Sequence, residues 1–299
     1  MLYYRAGVDL DMAKLLKGAD VANALNSKII SDVEALKRVG VPPALAMLRV
    51  GEKPDDITYE KSVMKRCAAT GVAVKSVALR ADATQQELIQ IISDLNGDDS
   101  VHGVLLFRPL PRHIDGSAVC AALDPAKDID GVTEESLAGV FTGSGKGFAP
   151  CTAQACIEFL DYYNICCDGK RAVVVGRSLV VGKPVAVMLM GKNATVTVCH
   201  TRTANMPQIT RGADIIISAV GKAEFLTKEC FSPGQIVIDV GINWNEEEAM
   251  LCGDVRFEDA APVVAAITPV PGGVGTVTTS VLVLHVVEAA KSASASLFS

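Results

Sequence analysis

Residues 170–184 read Lys-Arg-Ala-Val-Val-Val-Gly-Arg-Ser-Leu-Val-Val-Gly-Lys-Pro: a β-branched run, then a turn bounded by Gly176 and Gly182. An apolar, helix-compatible segment follows over 185–190. Strand, turn and helix in this order can aim backbone N–H groups and a helix N-terminus at a pyrophosphate. The glycine spacing is Gly-x5-Gly rather than G-x-G-x-x-G, so the same residues also suit an ordinary strand-to-helix turn of an α/β protein. The next candidate strand, 194–199, ends at His200-Thr201-Arg202-Thr203. In a dinucleotide fold that end faces the adenosine ribose, where an Asp or Glu would grip the 2′-hydroxyl of NAD. No acid stands there. Thr201, Arg202 and Arg177 offer hydroxyl and guanidinium donors, which suit a 2′-phosphate. The residues thus favour NADP over NAD; the alternative is that both arginines are solvated loop charges.

Other chemistries find little support. The nine cysteines show no C-x-x-C spacing, so no zinc or redox site is expected, and buried thiols in a reducing cytosol explain them. No metal site is expected. The four histidines, His102, His113, His200 and His285, are scattered and read as structural. Net charge is −6, with acids and bases mixed, and no basic tract points to nucleic acid or an anionic membrane. Residues 1–5 lack the pattern of a signal peptide, and no uncharged apolar run is long enough to span a bilayer. A soluble, cytoplasmic protein is the expectation.

The elements that must carry these residues alternate. The length, 299 residues, points to two domains. Apolar residues at Leu15, Ala19, Ala22, Leu25, Ile29, Val33 and Leu36 predict one helix over 11–38, stopped by Gly40 and Pro42-Pro43. Strands are predicted at 44–50, 72–79 and 101–107, with helices over 57–70 and 84–95 between them. Thr84 with Glu87 three residues on forms a capping-box pattern. Residues 139–149, rich in glycine, read as a linker. A helix over 153–163 follows, then strands at 215–219 and 236–240, a rigid Gly-Pro loop at 267–275 and a closing helix over 278–290. Alternation of this kind predicts parallel α/β sheets.

Taken together, Val173 to Pro184 (VVVGRSLVVGKP), Ala194 to His200 (ATVTVCH), Lys127-Asp128-Ile129-Asp130-Gly131, Val237 to Asn243 (VIDVGIN), Gly253-Asp254-Val255 and Thr268 to Gly275 (TPVPGGVG) resemble the bifunctional methylenetetrahydrofolate dehydrogenase/cyclohydrolase family. These motifs span nearly the whole chain in the family's order. The resemblance implies two α/β domains flanking a cleft: a folate-binding catalytic domain over 1–148, completed by a C-terminal helix over 278–299, and a Rossmann-type NADP-binding domain over 149–277. It also implies a homodimer acting on tetrahydrofolate one-carbon derivatives. Carried over residue by residue, it gives the cofactor Gly176, Arg177, Ser178, Gly182, Thr201 and Ile242. It gives the substrate Tyr59, Leu106, Phe107 and Asp130, with Pro271, Gly272, Gly273 and Val274 closing over the ligand; Tyr59 and Asp130 fall at the catalytic centre. The chemistry agrees. One carboxylate can accept both adjacent pterin donors, and a tyrosine ring can stack on the folate π-face. Read without the resemblance, Asp130 suits a turn and Tyr59 suits helix packing, as Asp128 suits a turn.

The chain departs from the family at one functional pair. The family places a lysine one helical turn after the tyrosine, in Y-x-x-x-K, where this chain has Val63. It places a glutamine in G-I-L-V-Q-L-P-L-P, where this chain reads Gly103-Val104-Leu105-Leu106-Phe107-Arg108-Pro109-Leu110-Pro111. Hydride transfer needs two rings held face to face, so positioning carries most of that step. Hydrolysis of the methenyl product needs a titratable group to move protons. Valine and phenylalanine can do neither. Residue 63 lies about 40° around the helix from Tyr59, whereas Lys61 and Lys65 lie about 200° and 240° away. Arg108 is expected on the side of the strand opposite Phe107, and its high pKa makes it a poor base. The expectation is an NADP-dependent dehydrogenase whose cyclohydrolase activity is lost or impaired. The alternatives are the full bifunctional enzyme, a catalytically silent NADP- or folate-binding paralogue, and a generic Rossmann oxidoreductase. Further departures fall at Ser136, Ala153, Ala155, Thr276 and His285, where the family more often has Asn, Pro, Gly, Pro and Asn.

Overall fold

The computed structural model describes residues 12–246 and 249–295. The described chain opens with strand β1 (Lys14–Leu15) and helix α1 (Gly18–Arg38). Val21, Ala22, Leu25, Ile29, Val33 and Leu36 form the buried stripe of α1, as helical periodicity requires. The expected start at Asp11 does not hold: Asp11 lies outside the described residues, and Lys14 and Leu15 are extended and pair with Ala266 and Ile267. Gly18 explains the late start. Its N–H donates to the Gly272 carbonyl at 2.8 Å, and a Cβ would overlap the Gly273 carbonyl.

Strand β2 (Ala44–Val50), helix α2 (Pro54–Thr70), strand β3 (Ala73–Leu79), helix α3 (Gln85–Asn96) and strand β4 (Gly103–Leu106) follow. The strands form a parallel sheet in the order β3-β2-β4. Helix α2 begins at Pro54, earlier than its apolar pattern suggests. Proline fits a first turn, and Asp55 and Asp56 suit the positive end of the helix dipole. The Thr84–Glu87 capping box is present in full at α3. Two helices, α4 (Gly116–Ala121) and α5 (Glu134–Thr142), were not expected. Part of the supposed linker is thus helical. Its glycines serve close packing: a Cβ at Gly139 would overlap the Lys146 carbonyl, and one at Gly147 the Ser136 hydroxyl.

The chain continues through α6 (Cys151–Tyr162), β5 (Arg171–Val175), α7 (Gly182–Gly191), β6 (Thr195–Cys199), α8 (Met206–Arg211), β7 (Ile215–Ser218) and β8 (Ile236–Asp239). Strands β9 (Asn243–Asn245) and β10 (Met250–Cys252) form an antiparallel hairpin. Helix α9 (Phe257–Ala260), strand β11 (Ala266–Ile267) and helix α10 (Val274–Ala293) complete the described fold. The second sheet is parallel, ordered β1-β11-β8-β7-β5-β6. Because β1 sits in this sheet, the expected assignment of everything before residue 149 to the first domain is corrected at residues 14–15. Helix α10 starts at Val274 rather than Thr278. It is apolar and long enough to cross a membrane, yet most of it is buried inside the fold. It packs on α1, α6 and α2, which accounts for an apolar surface all round.

Candidate active site

Both parallel sheets end at their carboxyl edges in loops that carry the candidate residues, as ligand sites in open α/β sheets do. In the second sheet β5 lies between β6 and β7, so the strand order reverses beside Gly176. Gly176 has φ 140°. A Cβ there would overlap the carbonyl oxygen of Ala219, just past β7, and a Cβ at Gly182 would overlap the carbonyl of Gly176. Only glycine lets three backbone segments meet this closely. The Ser178 hydroxyl accepts from the Val181 N–H at 3.1 Å, and the Lys183 N–H donates to the Ser178 carbonyl at 3.0 Å. These bonds set the turn that leads into α7. Gly182 is buried, so its part is to permit the turn.

Arg177, Ser178, Thr201 and Arg202 are exposed beyond the paired ends of β5 and β6. Neither guanidinium has an ion-pair partner among the described residues. The cradle of close-packed glycines and two uncommitted cations fit a phosphorylated dinucleotide. Ile242, 61% exposed, touches the start of α10: a Cβ on Gly275 would lie 2.8 Å from its Cδ1. Ile242 and Pro271, Gly272, Gly273 and Val274 line one cavity of about 170 Å³. Two buried acids, not foreseen in the sequence, fasten this edge. Asp254 accepts from the N–H groups of Gly221 and Lys222, each at 3.0 Å, and from the Asn243 amide at 2.9 Å. Asp239 accepts from the N–H groups of Gly241, Asp254 and Val255. The VIDVGIN and GDV motifs are therefore scaffolding, with each carboxylate closing several loop amides.

On the first-domain side, Tyr59 is half-buried on α2, and its ring meets Phe107 edge-on, 6.0 Å between centroids at 74°. Burial raises the Tyr59 pKa, and Asp130 and Cys151 raise it further. The structure thus brings Tyr59, Phe107, Asp130 and Cys151 together. Burial pushes Asp130 up to about 6, against the opposing pull of the Cys151 thiol and the Arg108 charge. Asp128 is a turn tether, accepting from the Val132 N–H at 3.0 Å and from the Thr133 N–H and hydroxyl, each at 2.8 Å.

Val63 is fully buried and joins the same apolar cluster as Phe107, Cys151 and Val274, with Tyr59 packed against it. Lys61 and Lys65 are exposed, as the helical angles require. Leu106 does not reach this site. Its side chain belongs to the cluster with Leu88 and Ile92 of α3, on the other face of the sheet, because successive strand residues alternate. Arg108 is exposed just beyond the end of β4, and its charge lowers the pKa of both Asp130 and Cys120.

Sequence reading missed three further groups. Cys151 and His285 are buried behind Asp130. Glu60, beside Tyr59, is paired with Arg49 at 3.0 Å and accepts from the Ser76 hydroxyl, fastening α2 to β2 and β3. Among the described residues no cluster of His, Cys, Asp and Glu is arranged to hold a metal ion.

A doubly wound parallel sheet with a glycine cradle at its switch point, joined to a second α/β unit carrying an aromatic ring and a carboxylate, defines a dinucleotide-binding class of protein. Residues 16–130 match the catalytic domain of tetrahydrofolate dehydrogenase/cyclohydrolase, and residues 150–294 match its NAD(P)-binding domain. The chain belongs to the tetrahydrofolate dehydrogenase/cyclohydrolase family. It is 43% identical over 280 residues to the bifunctional protein FolD of Clostridium botulinum, covering 94% of this chain and 99% of that one. It is 44% identical over 279 residues to that of Carboxydothermus hydrogenoformans, covering 93% and 97%. The crystal structure of the FolD bifunctional enzyme from Campylobacter jejuni superposes with a TM-score of 0.91 at 38% identity, covering 94% and 99%. The Trypanosoma brucei enzyme, solved with NADP cofactor and an inhibitor, gives 0.87 at 35% identity, covering 94% and 98%.

Proposed function

We propose that this chain oxidises 5,10-methylenetetrahydrofolate to 5,10-methenyltetrahydrofolate with NADP, and that hydrolysis of the methenyl product is lost or strongly impaired. The observation that carries the second half is the burial of Val63 and Phe107 in one apolar cluster against Tyr59, with Lys61 and Lys65 turned to solvent. NADP, when bound, accepts the hydride. The protein's own part is positional. The Gly176–Gly182 turn presents backbone amides and the start of α7 to the pyrophosphate, while Arg177, Thr201 and Arg202 take the 2′-phosphate. Asp130 accepts the pterin donors, Tyr59 forms the flat wall, and Phe107 extends that wall. Residues 271–274 close the slot, with Ile242 beside them. The methenyl cation is stabilised by its own nitrogens, so this step needs no protein base.

Hydrolysis differs, because water must lose a proton and the C–N bond must break with proton delivery. The Cys151 thiol is pushed well above its ordinary range, and burial holds the His285 imidazole near 4. Asp130 is the group that favours the second reading, a full bifunctional enzyme, because its pKa of about 6 suits a base. Once Asp130 accepts the pterin donors, however, it is committed. The reading includes a folate domain and an NADP domain divided near residue 148, and a cytoplasmic homodimer.

The experiment is a gain of function. Val63→Lys combined with Phe107→Gln should raise enzyme-dependent methenyltetrahydrofolate hydrolysis by on the order of 10²–10⁴, while NADP reduction from methylenetetrahydrofolate persists. Wild-type hydrolysis already as fast as oxidation would overturn the reading, and absence of any folate-dependent NADP reduction would favour a silent paralogue.

A further inference from the structure

We propose that His285 is a positioning residue for the Asp130 carboxylate, acting through the main chain of residue 129; the functional part of this rests on the pterin role given to Asp130 above. His285 is 4% exposed on α10, distant in sequence from the residues it meets. Its Nδ1 lies 2.8 Å from the carbonyl oxygen of Ile129. A carbonyl can only accept, so Nδ1 carries the hydrogen and the ring is the Nδ1–H tautomer. The Cys151 thiol donates to the same oxygen at 3.2 Å. The Ile129 carbonyl is thus met both by α10 and by the start of α6.

The adjoining residues are fixed as firmly. On one side of Asp130, the Gly103 position leaves no space for a Cβ because Ile129 fills it. On the other, Gly131 has φ 64° and backs onto the Ala149–Pro150 backbone, and the Asp128 carboxylate ties Val132 and Thr133. Asp130 is then a partly exposed side chain on a segment held from both ends. Among these restraints His285 supplies a side-chain hydrogen bond from α10, next to Val286, which packs at the Gly103 position. The ring itself is steadied by Phe148, 4.9 Å away between centroids at 32°. It also borders a cavity of about 1110 Å³ shared with Gln154 and Glu288, so smaller or reshaped side chains fit at this position without overpacking. Helix α10 starts directly after the Pro271–Gly273 loop, so one helix bears on both the carboxylate and the loop that closes over the ligand.

The test uses the full chain and steady-state kinetics. His285→Leu removes the donor and should raise the KM for methylenetetrahydrofolate about three- to tenfold, the weight of one lost hydrogen bond, with kcat and the KM for NADP little changed. His285→Asn keeps an amide donor near Nδ1 and should restore most of the loss. In an Asp130→Ala background, His285→Leu should add nothing, since the two act as one unit. A wild-type folate KM in a folded His285→Leu protein, or full additivity with Asp130→Ala, would overturn the proposal. Should His285→Leu not fold, imidazole ¹⁵N shifts of the unmodified protein decide the matter: a neutral Nδ1–H tautomer is expected, and an Nε2–H tautomer contradicts it. If the unmodified protein binds no tetrahydrofolate, the function proposed above fails, while the tautomer measurement still decides whether His285 holds the Ile129 carbonyl.

Discussion

The two sides of the cleft are made of different material. The dinucleotide side is built from backbone: a glycine at φ 140°, a second glycine backed onto it, and loop amides gathered by Asp239 and Asp254. The folate side is built from side chains: Tyr59, Phe107 and Asp130, each held by packing behind it. The difference teaches how one activity can be shed while another is kept. A backbone site rests on its glycines and on the two carboxylates that gather its amides. On the function proposed above, a side-chain site loses a proton-transfer pair, through Val63 and Phe107, and keeps the shape that aligns two rings.

The sharpest way to break this comparison is at the glycine. Gly176→Val should weaken NADP affinity by at least about 10², because backbone strain of on the order of 1–3 kcal/mol adds to the clash with Ala219; dye-displacement titration with NADP reads this. Next comes Asp130→Asn, expected to raise the folate KM roughly 10- to 100-fold, the cost of replacing a charged acceptor. Wild-type folate binding should also follow the Asp130 charge. Binding favours the ionised carboxylate, so the KM should fall as pH rises through about 6, and Asp130→Asn should flatten that profile. A smaller effect is expected from Arg202→Ala, which should lower the preference for NADP over NAD about tenfold, read as the ratio of kcat/KM for the two cofactors. The smallest is at Lys61 and Lys65. Alanine at either should leave oxidation and any residual hydrolysis within about twofold; a fall in hydrolysis alone would show that an exposed lysine reaches the site.

The same contrast decides what the sequence made legible. Gly176 and Gly182 could be read because a backbone that tight leaves a residue signature. Val63 could be put on the Tyr59 face of α2 from the helical angle, and it is buried there. Leu106 was misplaced by carrying a motif over as a block; strand alternation puts it under α3. The early start of α2 followed from Pro54, which begins helices as readily as it ends them. Residues 14–15 could not be read as a strand, because two residues leave no period and their pairing partners lie at 266–267. Asp239 and Asp254 lie in recognised motifs and His285 at a departure from the family pattern, but their partners, like those of Glu60, are brought to them by the fold.

The most direct measurement is a comparison of two rates on the same purified protein: disappearance of methenyltetrahydrofolate with and without enzyme, and NADP reduction from methylenetetrahydrofolate. The account predicts brisk NADP reduction beside methenyl decay no faster than in buffer. Enzyme-driven decay that matches the oxidation rate would contradict it.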